Sequence, residues 1–390
     1  MSKKKLAILS SHPIQYNAPI FKLLAGRGKI AVKVFYTWGI SALENKFDPG
    51  FGKTIEWDIP LLEGYDYEFL ENTARKKGSH HFRGIINPDI IRQIDVYDPD
   101  AILVFGWAFQ SHLKVLRHYS KRKNIIFRGD STLLDKLTFL RRKTRTIFLK
   151  WVYSHVNYAL YVGSNNYGYF RKMGLKESQL IYAPHAIDNN RFSSMADINE
   201  RNALDLRSEM GIGSGDIVFL YAGKLEEKKD VRFLLQVFHK AGLNERSQLV
   251  IVGNGNLEKE LKETYHQVPN IHFMGFQNQT KMPTIYRLAD TFILPSKGPG
   301  DTWGLGVNEA MACGRSVLVS NKCGCAIDLV EYGRNGYIFE AENRTDLADK
   351  LELLVQMGKT GLQEMGQVSA TKIKDFSFDK FCEAIEKLLF

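Results

Sequence analysis

Two carboxylates with glycines between them, Asp301 and Glu309, carry the chemistry that this sequence shows most clearly. They belong to the stretch GDTWGLGVNEAMACG, residues 300–314, which lies between two apolar segments that we predict to be strands. In a parallel sheet such a turn falls at the carboxyl end of a strand, where open α/β sheets bind their ligands. Carboxylates at that place can accept hydrogen bonds from the hydroxyls of a ribose or another sugar.

The same turn also predicts an anion site. A helix that begins near Leu305 would direct unpaired backbone N–H groups toward a ligand, and Gly304 and Gly306 would leave no Cβ to obstruct a phosphate. A phosphate site beside hydroxyl-binding acids indicates a nucleotide or a sugar nucleotide. The alternative is an ordinary strand–turn–helix in which Gly314 ends the helix.

Residues 300–314 resemble the donor-binding signature of family 4 glycosyltransferases, in which two acids are separated by seven residues and EAMACG forms the second half. Asp301 stands where Glu is commoner, and Gly306 stands where a β-branched residue is usual. The resemblance implies retaining transfer of a sugar from a UDP- or GDP-sugar to a hydroxyl of a glycan or lipid-linked acceptor. It also implies that no cofactor or metal is needed.

Two lysines extend this resemblance to the segment YAGKLEEKKD, residues 221–230. The segment resembles the Gly-Arg-Leu…Lys element of the family, whose Arg and Lys contact the donor diphosphate. Lys224 replaces the Arg, so the charge is kept but the bidentate fork is lost. Lys224 and Lys229 are therefore expected to bind the diphosphate, and the alternative is a solvated charged surface.

Asn254 and Phe276 complete the predicted donor site. Asn254 stands at the acidic position of the Gly-Asp-Gly turn of the family, and Phe276 lies in a segment that resembles the element around the nucleobase. Without the resemblance, the first is a tight turn between a strand and a helix, and the second is a core aromatic.

Arg128 and Asp130 are the tentative catalytic residues of the first half, in FRGDST after a predicted strand. Arg128 aligns most simply with a histidine that in many relatives touches the sugar or acceptor. Asp130 could orient an acceptor hydroxyl or accept its proton, or it could pair with Arg128 and hold the turn. Asp98 and Asp100 spell the metal motif of the other main glycosyltransferase fold, but they precede a buried strand as a turn, so we expect no metal there.

The composition predicts an α/β protein of two domains. A chain of 390 residues exceeds one ordinary core, and short apolar runs alternate with helical patterns throughout, which is typical of parallel strands covered by helices. We place an acceptor-side Rossmann-like domain at 1–185, a linker at 186–208, the donor domain at 209–375 and a C-terminal helix at 376–390, which could cross back to the first domain. The resemblance, which spans nearly the whole chain, implies that the two domains face a central cleft, as in the GT-B architecture.

The net charge of +10 is concentrated in the first half. Residues 1–190 hold 29 Lys and Arg against 16 Asp and Glu, and residues 114–150 alone hold 12 against two. Such a basic surface suggests peripheral contact with an anionic membrane, and no base-reading module suggests nucleic acid. Apolar residues share one predicted helical face there: Leu133, Leu134, Leu137, Leu140, Ile147, Phe148 and Trp151. The favoured alternative packs this face on the sheet and leaves the basic side in water.

Location and function class follow from weaker signals. The apolar run 6–9 after the basic start is shorter than the core of a secretion signal, and four cysteines suit a reducing compartment, so we expect a cytoplasmic protein. Two other classes stay open: a nucleotide-sugar epimerase or hydrolase of the same architecture, and a non-catalytic nucleotide-sugar-binding protein.

Overall fold

The computed structural model describes residues 3–43, 47–48, 53–54, 56–135, 138–243 and 246–390 of the chain. The chain forms two compact units. Unit 1 comprises Met1–Lys46, Ile59–Pro184 and Phe378–Phe390, and unit 2 comprises Phe47–Asp58 and His185–Ser377.

Each unit contains a parallel sheet. The order of strands is β5-β2-β1-β6-β7-β8-β9 in unit 1 and β12-β11-β10-β13-β14-β15 in unit 2, whereas β3 and β4 form a short antiparallel hairpin in unit 2. The strands are β1 (Lys4–Ser10), β2 (Ile30–Tyr36), β3 (Phe47–Asp48), β4 (Lys53–Thr54), β5 (Asp66–Phe69), β6 (Ala101–Phe105), β7 (Asn124–Arg128), β8 (Tyr158–Tyr161), β9 (Leu180–Tyr182), β10 (Ile217–Ala222), β11 (Ser247–Val252), β12 (Ile271–Met274), β13 (Thr291–Leu294), β14 (Ser316–Ser320) and β15 (Gly336–Phe339).

Helices connect these strands. They are α1 (Ala18–Gly26), α2 (Ile90–Tyr97), α3 (Gln110–Tyr119), α4 (Phe139–Tyr153), α5 (Ser164–Lys172), α6 (Asn189–Ser193), α7 (Ala196–Glu209), α8 (Val231–Lys240), α9 (Glu258–Tyr265), α10 (Met282–Arg287), α11 (Leu305–Ala312), α12 (Ala326–Leu329), α13 (Arg344–Lys372) and α14 (Phe378–Leu389). Helix α13 is interrupted at Gly358, where φ is 66°. Two parallel sheets with helical connections confirm the predicted α/β fold of two Rossmann-like halves.

The central strands are buried along most of their length, which explains their continuous apolar sequences. In β10, the residues from Val218 to Tyr221 are fully buried, and in β6 the residues from Ala101 to Val104 are fully buried. A strand that is covered on both faces has no solvent side and therefore needs no polar alternation.

The last helix, α14, belongs to unit 1. Phe381 and Ile385 lie in the core cluster formed by β1, β2 and α1. At the surface of this contact, Arg27 and Lys29 bind Glu386 at 3.3 and 2.8 Å. Burial of the apolar face of α14 is the main stabilising contribution, because surface ion pairs contribute only about 0–1 kcal/mol each.

The segment 186–208 differs from the predicted linker, because it forms part of unit 2. It contains α6 and α7, and Phe192 of α6 is fully buried. Arg207 of α7 is also buried, and its Nε donates to the carbonyl of Leu288 at 2.7 Å. The polar sequence of this segment concealed two helices that pack on unit 2, so the boundary between the units falls between Pro184 and His185.

Candidate functional site

The predicted donor residues lie on loops at the carboxyl edge of the unit 2 sheet. Lys224 and Lys229 follow β10, residues 296–301 follow β13, and Asn254 follows β11. Because these strands are parallel, their following loops lie at the same edge, where α/β sheets bind ligands. The order of strands and turns in the sequence, together with the family resemblance, predicted this arrangement.

Lys229 and Asp301 form an ion pair across this edge, although 72 residues separate them. The Lys229 Nζ atom lies 2.8 Å from Asp301 Oδ2, which also accepts a hydrogen bond from the Ser296 hydroxyl. Asp301 is only 8% exposed. Burial lowers the pKa of Lys229, but the charge and the hydrogen bond of Asp301, together with smaller effects of other neighbours, raise the pKa above its ordinary value. Lys229 is therefore a cation at neutral pH.

Glu309 is held by a tyrosine that sequence reasoning missed. The hydroxyl of Tyr286, in α10, donates to Glu309 Oε2 at 2.6 Å, and Glu309 is 3% exposed. On the same turn of α11, Asn308 accepts from the indole N–H of Trp303 at 2.8 Å and donates to the carbonyl of His185 at 3.1 Å. These bonds fix the start of α11, so Glu309 has a defined orientation.

Gly304 and Gly306 lie where the packing of the turn leaves little space for a side chain. Gly304, with φ at 104°, precedes α11, and a Cβ there would lie 2.6 Å from Leu294 Cδ2. At Gly306 a Cβ would lie 3.1 Å from the ring of Phe292 and 3.2 Å from the Tyr286 hydroxyl. A side chain at either position would meet the protein interior, so the glycines allow close packing of the turn, and their role in the approach of a phosphate stays a prediction. Leu305, between them, is half-buried as the first residue of α11.

The turn around Asn254 packs backbone against backbone on the loop after β10. A Cβ on Gly253 would lie 1.9 Å from the Gly223 carbonyl oxygen, and one on Gly255 would lie 2.3 Å from that of Leu225. Neither position has room for a side chain. The two glycines therefore bring the Asn254 loop against the loop that carries Lys224.

Asn254 and Phe276 are in direct contact. The Asn254 side-chain oxygen accepts the backbone N–H of Phe276 at 2.5 Å, and its Nδ2 donates to Glu258 at 2.6 Å. On the neighbouring loop, the hydroxyl of Tyr221 donates to the Lys224 carbonyl at 2.7 Å. The half-buried Lys224 and Phe276 are thus set by short, directional bonds to their backbones.

Arg128 is buried in unit 1 and has structural contacts there, and its tentative catalytic role stays a prediction. Its two NH groups donate to the carbonyls of Ala183 and Pro184, and its guanidinium lies 5.1 Å from the ring centroid of Phe381. Burial lowers the pKa of Arg128 to about 10. Arg128 therefore joins the ends of β7 and β9 to α14. The role of Asp130, half-buried after β7, stays a prediction.

Both carboxylates of the Asp98–Asp100 motif are paired with lysines. Asp98 binds Lys123 at 2.6 Å, and Asp100 accepts the Lys5 backbone N–H at 2.8 Å and the Lys4 ammonium at 3.0 Å. Among the residues that the structure describes, no three His, Cys, Asp or Glu side chains are grouped so that they could hold a metal ion. The expectation that no metal is required stays a prediction.

Helix α4 does not pack its predicted apolar face on the sheet, which was the favoured alternative. Leu149 and Val152 are buried, but Phe139, Leu140 and Ile147 are 70%, 71% and 64% exposed. Leu133, Phe148 and Trp151 are also exposed, whereas Leu134 is half-buried and Leu137 lies outside the described residues. Within the described part of the chain, no helix has both the length and the apolar character needed to cross a membrane.

Comparison with known proteins gives this site a family context. Residues 204–367 match the family model "Glycosyl transferases group 1", so unit 2 contains a glycosyltransferase group 1 domain. A lipopolysaccharide 1,2-N-acetylglucosaminetransferase from Salmonella typhimurium is 31% identical over 173 residues, which is 41% of this chain and 44% of that protein. A glycosyltransferase from Methanocaldococcus jannaschii is 26% identical over 148 residues, 37% of each chain. The chain thus matches less than half the length of these curated relatives.

Solved structures resemble the whole chain in fold. The crystal structure of Anabaena HepE in complex with UDP superimposes with a TM-score of 0.72 at 16% identity, and the match covers 100% of this chain and 99% of that one. This likeness confirms the GT-B type of fold that the sequence predicted.

Proposed function

We propose that this protein is a retaining glycosyltransferase that moves a hexosyl sugar from a UDP- or GDP-sugar to a hydroxyl of a glycan or lipid-linked acceptor. The observation that supports this most directly is the Lys229–Asp301 pair at the carboxyl edge of the unit 2 sheet, 2.8 Å between Nζ and Oδ2. It places a cation and an acid at the edge where the group 1 domain is expected to hold its donor.

The residues of the site suit a donor diphosphate. An ammonium has three N–H donors, and Asp301 accepts one from Lys229, which leaves two for phosphate oxygens. Lys224 adds a second positive charge on the same loop as Lys229, and the start of α11 adds backbone N–H groups. These charges stabilise the diphosphate as it departs with negative charge. Glu309 accepts hydrogen bonds from donor hydroxyls in this scheme, and Asp301 does so beside Lys229.

Relatives favour UDP as the first nucleotide to test. The structure of HepE holds UDP, and the Salmonella relative is named as an N-acetylglucosaminetransferase of lipopolysaccharide. The proposal includes no cofactor and no metal, so transfer should persist when EDTA is present. The four cysteines are free and buried, which fits the reducing cytoplasm that we propose as the location.

Donor turnover tests this proposal. Purified protein is incubated with UDP- and GDP-sugars, with and without glycan and lipid-linked acceptors, and nucleoside diphosphate release is measured. We expect release that depends on an acceptor and a product with the anomeric configuration of the donor. Glu309→Ala should lower transfer about 10²-fold because it removes a preorganised polar contact. Glu352→Ala, an exposed acid on α13, should leave it unchanged.

Other outcomes assign the protein to another class. Equal release without any acceptor indicates a hydrolase, and a changed sugar on an intact nucleotide indicates an epimerase. Nucleotide binding without turnover of any donor indicates a non-catalytic binding protein. Full transfer by Glu309→Ala contradicts the role given to Glu309.

Helix α4 supports the further proposal that the protein lies peripherally on the inner face of an anionic membrane. The exposed Phe139, Leu140 and Ile147 are accompanied on the same helix by Arg141, Arg142, Lys143, Arg145 and Lys150. Apolar side chains that enter the headgroup boundary, next to cations that attract anionic lipid, are typical of an interfacial helix. An acceptor linked to lipid would then meet the enzyme at that surface.

Sedimentation with vesicles tests the membrane contact. We expect the protein to sediment with phosphatidylglycerol vesicles at low salt, and less at high salt or with phosphatidylcholine, because salt screens surface charges. A triple variant, Phe139→Ser, Leu140→Ser and Ile147→Ser, should lose most of this binding. Val96→Ser, an exposed apolar residue on α2, is the control and should bind normally. Equal sedimentation of the triple variant and the wild type contradicts the proposal.

A further inference from the structure

A short segment from the first half of the sequence, residues 56–58, belongs to unit 2 and lies next to the predicted donor residues. The side chain of Asn278 donates to the Glu56 carbonyl at 2.6 Å. The backbone N–H of Thr280 lies 3.2 Å from both carboxylate oxygens of Asp58, and the Thr280 hydroxyl donates to the same carboxylate. Residues 56 and 58 are thus attached to the loop that follows β12, and Trp57 is held between them.

Trp57 lies against Phe276 on this loop. Their ring centroids are 6.4 Å apart and the rings are inclined by 55°. Both side chains are half-buried, so each keeps surface for a ligand. Phe276 is itself fixed, since its backbone N–H donates to Asn254 Oδ1 at 2.5 Å. Two aromatic rings therefore lie beside the Asn254 turn, at the edge of the sheet that carries the donor residues.

We propose that Trp57 is a binding residue for the nucleobase of the donor, and that it forms with Phe276 an aromatic wall against which the base stacks. This inference rests on the proposed function, because it deepens the donor site of unit 2. Aromatic side chains bind the π-face of a base, and this interaction tolerates different bases because each has such a face. Trp57 therefore adds affinity for a nucleoside diphosphate but none for the diphosphate alone.

The hydrogen bonds on both sides of Trp57 carry this argument. If the indole were only a hydrophobic contact, burial of its apolar surface would hold the segment in place. Here the segment is attached by polar bonds to Asn278 and Thr280, and the indole is left half-buried beside Phe276. Anchors on either side preorganise an aromatic ring for a ligand, because its orientation is set before binding.

Calorimetric titration of the full chain with UDP and with inorganic pyrophosphate tests the inference. Trp57→Ala and Trp57→Leu should raise the Kd for UDP about 5- to 150-fold, the range that corresponds to loss of one base–aromatic stack. Both variants should bind pyrophosphate as the wild type does. Trp57→Phe should keep most of the UDP affinity, because it keeps a π-face. Trp107→Phe, an indole of unit 1, is the matched control and should change neither affinity.

Trp57→Leu separates stacking from packing, since leucine fills apolar space but has no π-face. UDP binding by Trp57→Leu at the wild-type affinity would overturn the inference and leave the proposed function intact. Equal weakening of UDP and pyrophosphate would also overturn it, because it would show a general distortion of the loop. If the wild type binds neither UDP, GDP nor ADP, the proposed function and the role of Trp57 both fail.

Discussion

Lys229→Met is expected to lower transfer activity about 10²- to 10³-fold, as the loss of one preorganised charge donor at a developing anion does. It is also expected to lower the free energy of unfolding by about 3 kcal/mol, because the Asp301 carboxylate then remains buried without its cation. Steady-state kinetics and urea denaturation measure the two effects. Lys228→Met, at an adjacent and more exposed lysine, should leave both nearly unchanged.

A second substitution separates the two roles of Lys229. In the Lys229→Met background, Asp301→Asn removes the unpaired charge, so the free energy of unfolding should recover while the activity stays low. Recovery of activity together with stability would show that Lys229 only neutralises Asp301 and does not bind the donor diphosphate.

A second large effect is expected for Gly304→Ala, which should lower the free energy of unfolding by about 2–5 kcal/mol. Part of the cost is the positive φ of 104°, which an alanine adopts with strain, and part is the clash of its Cβ with Leu294 at 2.6 Å. Gly300→Ala provides the matched control. Gly300 has a φ of 89° but no atom within 4 Å of its Cβ position, so only the strain applies, about 1–2 kcal/mol.

The difference between the two alanine variants measures the packing against Leu294. Urea denaturation should therefore show a clearly lower midpoint for Gly304→Ala than for Gly300→Ala. Equal midpoints would mean that the turn relaxes around the new methyl group, and that packing is not the reason for glycine at position 304.

Two strands at the edges of the sheets could not be predicted from the sequence. The strands β5 and β15 were not predicted, whereas the buried central strands were. In β5 the sequence DYEF alternates acids with aromatic residues and is exposed or half-buried, and in β15 the sequence GYIF is buried at three of four positions but begins with a glycine. Neither segment therefore has the continuous apolar run that predicts a buried strand.

The position of the predicted donor residues in the fold could be predicted because their sequence signal is local. A strand, a glycine turn and a helix occupy consecutive residues, and the parallel sheet then gathers such turns at one edge. For this reason spacing and resemblance placed Lys224, Lys229 and Asp301 at one edge of the sheet, and their binding of a donor stays a prediction. Ser296 was within reach of the same reasoning, since it follows β13 directly, but Tyr286 lies in a helix whose apolar neighbours gave no sign of a polar role.

By itself, the sequence determined the fold class, the segments that form the central strands and the loops that follow those strands. Each of these features depends on residues that are neighbours in the chain. Only the tertiary structure decided which groups meet. It joined Lys229 to Asp301 and Tyr286 to Glu309, buried Arg128 under α14, and placed Trp57 beside Phe276. Each of these contacts joins residues distant in the chain, and such contacts form only when the packing of whole strands and helices brings their side chains within reach.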